Sequence, residues 1–320
     1  MNSSLRYTLA LAFVCLVGGT ARASSLYAAS PYNVFVFGGF TETGSDDGGR
    51  LAVGGNASFS GDYSIGEGIL DGQSAPNNDS LVVGGQITQG TANIFGGANA
   101  YVGNESGGGG VQFNGGGSES TGSPAPIDFA TAYTELSGLS SSLATLTQNG
   151  TVTDMFGTLT LTGTSSTVNI FDIAGTMLSG SSTVNIVIPT GSTAIINVTG
   201  TSVATTSGGM TVNGHAVNGD STNAIVDGVL FNFFQATSLA LDGSFLGTVL
   251  APNAAVTGGY GQLDGQLIAQ SFRGSTEFHD FDFDGTVPTT ATPEPGTWIT
   301  LAGGLVGLGF ARRRFRMPAA

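Results

Sequence analysis

Arg50–Asn56 reads RLAVGGN, and thirty residues later Ser80–Gln86 reads SLVVGGQ. Each is a short run of strand-forming, mostly apolar residues closed by a glycine pair. The run is too short for a helix, and the glycines allow a tight corner directly after it. The same theme occurs in Tyr32–Phe37 (YNVFVF) before Gly38-Gly39, in Asn93–Gly97 (NIFGG) and in Tyr101–Gly103 (YVG). Further on, Ser165–Ile170 (SSTVNI) recurs identically at Ser181–Ile186, sixteen residues later. Leu246–Ala251 (LGTVLA) is echoed by Asp264–Ala269 (DGQLIA) at an offset of 18. Echoes whose spacing wanders do not form a strict repeat array. They fit solenoid coils of variable length, with alternate Val, Ile, Leu and Phe inward and Thr, Ser and Asn outward. The expected fold is mainly β, a right-handed β-helix or β-solenoid-like body. A β-sandwich is the alternative, disfavoured because echoed segments point to stacking.

One segment departs from this theme. Ile127–Thr147 has no glycine pair, and Phe129, Ala132, Tyr133, Leu136, Leu139, Leu143 and Leu146 share one broad helical face. Asp128 is placed to cap its start. The glycine-rich run Gly107–Gly117 before it lets the chain cross to a new position, so one flanking α-helix is expected along the side of the solenoid.

Composition agrees. Of 320 residues, 53 are glycine and only 9% are charged. All eight basic residues are arginines, at 6, 22, 50, 273, 312, 313, 314 and 316, so no chemistry that needs a lysine is available. Between Ser24 and Thr292, Arg50 and Arg273 face 21 acidic residues, a net −19. Such a body repels phosphate backbones, which excludes nucleic acid as a partner.

The ends read as addresses. Arg6, the apolar run Leu9–Val17 and the small-x-small pattern Ala21-Arg22-Ala23 describe a secretory signal over residues 1–23, with Ser24 as the mature start and signal peptidase as the processing enzyme. Cys15 lies inside the apolar run, so the mature chain is expected to have no thiol. At the other end, Pro293-Glu294-Pro295 precedes the apolar stretch Trp298–Ala311 and the cluster Arg312-Arg313-Arg314-Phe315-Arg316. The stretch is shorter than the roughly 20 residues of a stable span, and the arginines would hold its end in the cytoplasm. Residues 293–320 resemble the PEP-CTERM sorting signal of Gram-negative bacteria. The resemblance implies transient inner-membrane anchoring, processing near the motif by an exosortase-type enzyme, and delivery to the cell surface or outside. Residues 286–292 are the expected linker, and residues 24–285 the domain.

The domain itself resembles the choice-of-anchor A family. The likeness rests on Tyr32–Gly38 with Gly48–Asn56, on Ile127–Ala130, on Val229–Phe233, and on Gly247–Ala254 continuing through Gly265–Ala269 to Glu277–His279. It implies an adhesive, β-helical surface domain and supplies no ligand or catalytic residue.

The residues themselves offer little catalysis. The body has two histidines, His215 and His279, and no nucleophile-elbow pattern. His215 is read as a turn residue. A glycan-cleaving enzyme would use paired carboxylates and aromatic platforms, but Trp298, in the tail, is the only tryptophan. Glu277–Gly285 (EFHDFDFDG) is read as a closing strand, with Phe278, Phe281 and Phe283 available to the core and the acids facing water. In the alternative, Asp280, Asp282 and Asp284 gather oxygens around Ca²⁺, as the D-x-D-x-D-G spacing of a calcium loop does; the bidentate glutamate of such a loop is missing. Otherwise no cofactor is expected. Asp46-Asp47 reads as a solvated turn. The alternation Thr158-Leu159-Thr160-Leu161-Thr162 reads as an exposed strand face, or alternatively as an ice-facing ladder. The expected function is non-enzymatic adhesion or matrix organisation at the cell envelope, with extracellular polysaccharide or matrix as partner. Ice binding and polysaccharide cleavage are the alternatives.

Overall fold

The computed structural model describes residues 26–68, 75–205, 208–216 and 225–288. The signal-cleavage residues Ala21, Ala23 and Ser24 and the sorting residues Pro293, Glu294, Pro295 and Arg312–Arg314 lie outside them, as do Cys15 and Trp298.

The described chain is a solenoid with three sheet walls. In the first wall, short strands stack in parallel: Val168–Ala174, Thr193–Thr199, Val229–Asn232, the starts of Thr248–Asp264 and Leu267–His279, then Val34–Val36, Leu51–Val53, Asp79–Val83, Asn99–Val102 and Glu119–Thr121. The spatial order is not the sequence order. The N-terminal strand Val34–Val36 pairs with the C-terminal strand at Leu267–Ala269, so the first and last coils meet in mid-stack. The two extremities of the stack, Glu119–Thr121 and Val168–Ala174, are joined through the helix segment.

The echoes divide into two kinds. Leu51 stacks on Leu81 and Val249 on Leu267, so the RLAVGGN/SLVVGGQ and LGTVLA/DGQLIA echoes are true coil repeats. The SSTVNI echo is not. Val168 in the first copy pairs with Thr193 on the first wall, whereas Val184 in the second pairs with Leu159 on the third. An identical hexapeptide serves on two walls because either face of an alternating strand can be turned inward: Val184 and Ile186 face the lumen, while Ile170 joins the layer under the helix Phe129–Leu143.

The glycine pairs mark corners where coils touch backbone to backbone. A Cβ on Gly54 would lie 2.3 Å from Phe37 O, and one on Gly84 would lie 2.6 Å from Gly54 O. No larger residue fits without separating the coils.

The central first-wall strands are buried on both sides, which explains apolar triplets such as VFV and LAV, whereas Glu119–Thr121 at the end of the stack is exposed. Val34, Val36, Leu51, Val53, Leu81 and Val83 fill the lumen. Phe35, Ala52, Val82, Ile195, Leu230, Leu250 and Ile268 point outward, beneath α1 (Phe129–Leu143). Asp128 caps α1 as expected, its Oδ1 accepting from Ala130 N and Thr131 N at 3.1 Å. Ala132, Leu136, Leu139 and Leu143 are buried on the expected face. An asparagine ladder that the sequence did not signal holds α1 down. Asn232 Nδ2 donates to Ser140 O at 2.8 Å and Asn197 Oδ1 at 2.9 Å, and Asn197 Nδ2 donates to Leu143 O at 3.0 Å. A second, six-residue helix, α2 (Gly175–Gly180), adds to the single one expected.

One side chain closes the seam between first and last coils. Gln266 is fully buried. Its Nε2 reaches Ala29 O, Ser30 O and Tyr32 O at 3.4, 3.0 and 2.9 Å and Asp282 Oδ1 at 3.0 Å, while its Oε1 accepts from Phe283 N at 3.0 Å. The chain after the seam runs back over the body. Thr286 N donates to Thr193 Oγ1 at 2.7 Å, and Val287 packs against the outer apolar layer.

Candidate functional site

With α1 on the first wall, the second and third walls remain to meet a partner. The second wall contains Ser202–Ala204, Ser238–Leu241, residues 255–258 and 271–274 of the two long strands, Phe40–Glu42, and the starts of Ala57–Ile65 and Ile87–Ile94. Val203, Leu239, Val256, Phe272 and Phe40 point into the lumen. The alternating positions form an outward row in continuous register, Ala204–Ala240–Thr257–Arg273–Thr41–Ser58, beside a second row, Ser202–Ser238–Ala255–Ser271. Parallel rungs lie about 4.8 Å apart, so the first row spans roughly 24 Å of small side chains on a sheet face. Arg273 is the exception. It is exposed, and its side chain makes no hydrogen bond or ion pair among the described residues.

The third wall begins in a separate five-stranded sheet. Thr151–Met155 and Thr158–Thr162 form a hairpin, followed by Thr183–Val187, Gly209–Val212 and the short strand His215–Ala216. Leu159 and Leu161 are buried, so Thr158, Thr160 and Thr162 face outward, as an exposed strand face requires. The row runs Thr153–Thr160–Asn185–Thr211, with Thr211 Oγ1 donating to Asn185 Oδ1 at 3.0 Å. Phe156, at φ 52°, is 99% exposed at the hairpin tip. His215 is exposed but is not itself in the turn; Asn213-Gly214, at positive φ, make the turn and His215 begins the return strand.

The middle of the third wall is acidic. His279 Nδ1 lies 2.6 Å from Asp264 Oδ1 and its Nε2 lies 3.2 Å from Glu277 Oε1. Asp47 bridges Ile65 and Phe278 in parallel register, so its side chain shares their lumen-facing side. Asp47 is fully buried, which corrects the expected solvated turn. Its Oδ1 accepts from Gly49 N at 3.0 Å, and its Oδ2 has no partner among the described residues.

The reading of Glu277–Gly285 as one closing strand is also corrected. The strand ends at His279. Phe278 and Phe281 then enter the lumen, while Phe283 joins the layer under α1. Reaching both layers carries the chain across a corner, and this turns acids inward. Asp280 is buried, Asp282 accepts from Gln266, and only Asp284 is exposed. Among the described residues, no three His, Cys, Asp or Glu side chains gather as a set able to hold a metal ion.

Three groups have pKa shifts of one sign: Asp47 and His279 on this wall, and Asp227, whose carbonyl accepts from Asp284 N at 3.0 Å just before the first-wall strand Val229–Asn232. Burial pushes Asp47 well above the usual carboxylate range, with repulsion from Asp280 and Asp46 adding to it. Burial raises Asp227 to about 7, helped by Asp284 and Asp280. Burial by itself would lower His279, but its bonds to Asp264 and Glu277 outweigh that and raise it. Each group holds its proton more tightly in the fold than in the unfolded chain. Their contribution is full below the unfolded pKa and is lost as pH rises through the folded one. For the carboxylates the loss starts from 3.8, and for Asp227 it is complete a little above about 7. For His279 it starts from 6.5. We therefore expect a higher melting temperature at about pH 5 than at about pH 8. Asp47→Asn should flatten the difference, since it keeps an acceptor for Gly49 N and removes the ionisation. A wild-type melting temperature that climbs between those pH values would contradict the assignment.

Comparison with known proteins gives one family. The family model described as "Putative Ice-binding-like adhesive domain" matches residues 25–280. Two solved structures are also similar in outline. The ice-binding protein from the Antarctic ascomycete Antarctomyces psychrotrophicus has 14% identity and a TM-score of 0.39, over 83% of this chain and 98% of that one. An ice binding protein from an Antarctic biological consortium has 14% identity and a TM-score of 0.33, over 87% and 93%. No curated protein matches the chain. Among the described residues, no helix is long and apolar enough to cross a membrane.

Proposed function

Because the chain belongs to the ice-binding-like adhesive domain family, we propose that it is a non-enzymatic adhesive domain that holds extracellular polysaccharide or matrix against its second wall. The observation that carries this is the row Ala204–Ala240–Thr257–Arg273–Thr41–Ser58, which offers hydroxyls and methyls on a sheet face where an extended chain can lie. In this reading residues 1–23 direct export, and residues 293–320 act as a PEP-CTERM signal handled by an exosortase-type enzyme, which places the domain at the cell surface. The choice-of-anchor A resemblance fits the same role.

Bulky substitutions test it. Thr257→Tyr and Thr41→Tyr should each weaken binding to arrayed glycans and matrix proteins by about tenfold, because they break the flat contact and leave the core untouched. Unchanged binding by both variants, with melting unchanged, would move the adhesive surface elsewhere.

Ice binding is the second reading, favoured by the threonine row Thr153–Thr160–Asn185–Thr211. Thermal hysteresis that Thr160→Tyr removes would establish it in place of the first.

A further inference from the structure

We propose that Arg273 makes the second wall selective for a polysaccharide bearing sparse anionic groups, carboxylate or sulfate, over a neutral one. The inference rests on the adhesive reading and names the ligand class for that wall.

Of the two arginines among the described residues, Arg50 is buried and Arg273 is exposed. The body has 21 acidic residues, yet Arg273 has no carboxylate partner among the described residues. It does not guard a sheet edge, because its strand pairs on one side through Thr257 and on the other through Thr41. It does not neutralise a neighbour either, since every other member of its row is Ala, Thr or Ser. A guanidinium is thus held within a row whose other members are all small and uncharged.

The guanidinium fork matches the two oxygens of a carboxylate or sulfate. Thr257 and Thr41, directly opposite on the flanking rungs, and Ser271, two residues earlier on the same strand, can exchange hydrogen bonds with sugar hydroxyls beside the anion. The −19 body sets the density of charge the ligand can carry. Its field repels a chain charged at every sugar, but falls off over about 8 Å at physiological salt. One anionic group at Arg273, with neutral sugars over the rest of the row, satisfies both conditions.

The test uses the purified full chain on polysaccharides that share one backbone and are neutral, lightly carboxylated or lightly sulfated, at about 0.15 M salt. Wild type should prefer a charged arm over the neutral one by about fivefold, the scale of an exposed ion pair. The stronger charged arm identifies the group. Arg273→Gln should lose the preference and bind all three arms alike, while Arg273→Lys retains part of it. Melting of both variants should match wild type, since the side chain is exposed. Equal wild-type binding to neutral and charged arms would overturn the inference and leave the adhesive reading standing. So would a preference that survives Arg273→Gln. Absence of binding on every arm would sink the polysaccharide reading and the inference together.

Discussion

Gln266→Leu is expected to destabilise the protein by about 3–5 kcal/mol, the sum of several buried polar groups losing their partners. Leucine fills similar space but offers nothing to Ser30 O, Tyr32 O or Phe283 N, which the Gln266 amide bonds at 2.9–3.0 Å. The two amide hydrogens are already shared among four acceptors, so the individual bonds are not additive. Gln266→Glu should cost more, because it places a carboxylate against carbonyl oxygens and Asp282 and donates nothing back. Thermal melting of both variants decides. At about 2–4 °C per kcal/mol for a domain of this size, the Leu variant should melt roughly 6–20 °C lower. A shift under about 2 °C would show that the seam is held by strand pairing alone.

Leu136→Asp should be comparably severe. Leu136 is fully buried in the layer between α1 and the first wall. Losing a buried leucine costs about 2–5 kcal/mol, and desolvating an unpaired carboxylate adds to it. Ser141, exposed on the opposite side of α1, provides the control. Ser141→Asp should change stability by about 0.5 kcal/mol or less. Equal melting temperatures for the two variants would mean that α1 contributes no burial.

What the sequence made legible follows from local physics. A strand buried on both sides must be apolar throughout, so LAV and LVV before glycine pairs announced the first wall, and their offset gave the true pairing of Leu51 with Leu81. Asp128 and the leucine spacing announced α1 because capping and helical periodicity are also local. Other features were illegible because no local signal carries them. The pairing of Val34 with Leu267 joins opposite ends of the body. The burial of Asp47 depends on a bridge to Phe278. The isolation of Arg273 emerges only once Thr257 and Thr41 are known to flank it. The Ca²⁺ spacing at Asp280, Asp282 and Asp284 shows the opposite hazard. It matches a motif over six residues, but Phe281 and Phe283 turn to different layers, Asp280 is buried and Asp282 accepts from Gln266, none of which the spacing announces.

The mid-stack seam also governs how the body responds to attack and to load. A stack loosens most readily at its extremities, but here Glu119–Thr121 and Val168–Ala174 are interior to the chain, so peeling there exposes loops and no free end. An exopeptidase trimming inward from Leu26 or Val287 would meet the packed layer beneath α1. A pull transmitted through the residues after Val287 enters beside Gln266 and the last coil. That coil has rungs hydrogen-bonded on both sides, so the force is divided between two halves of the stack before either can unzip.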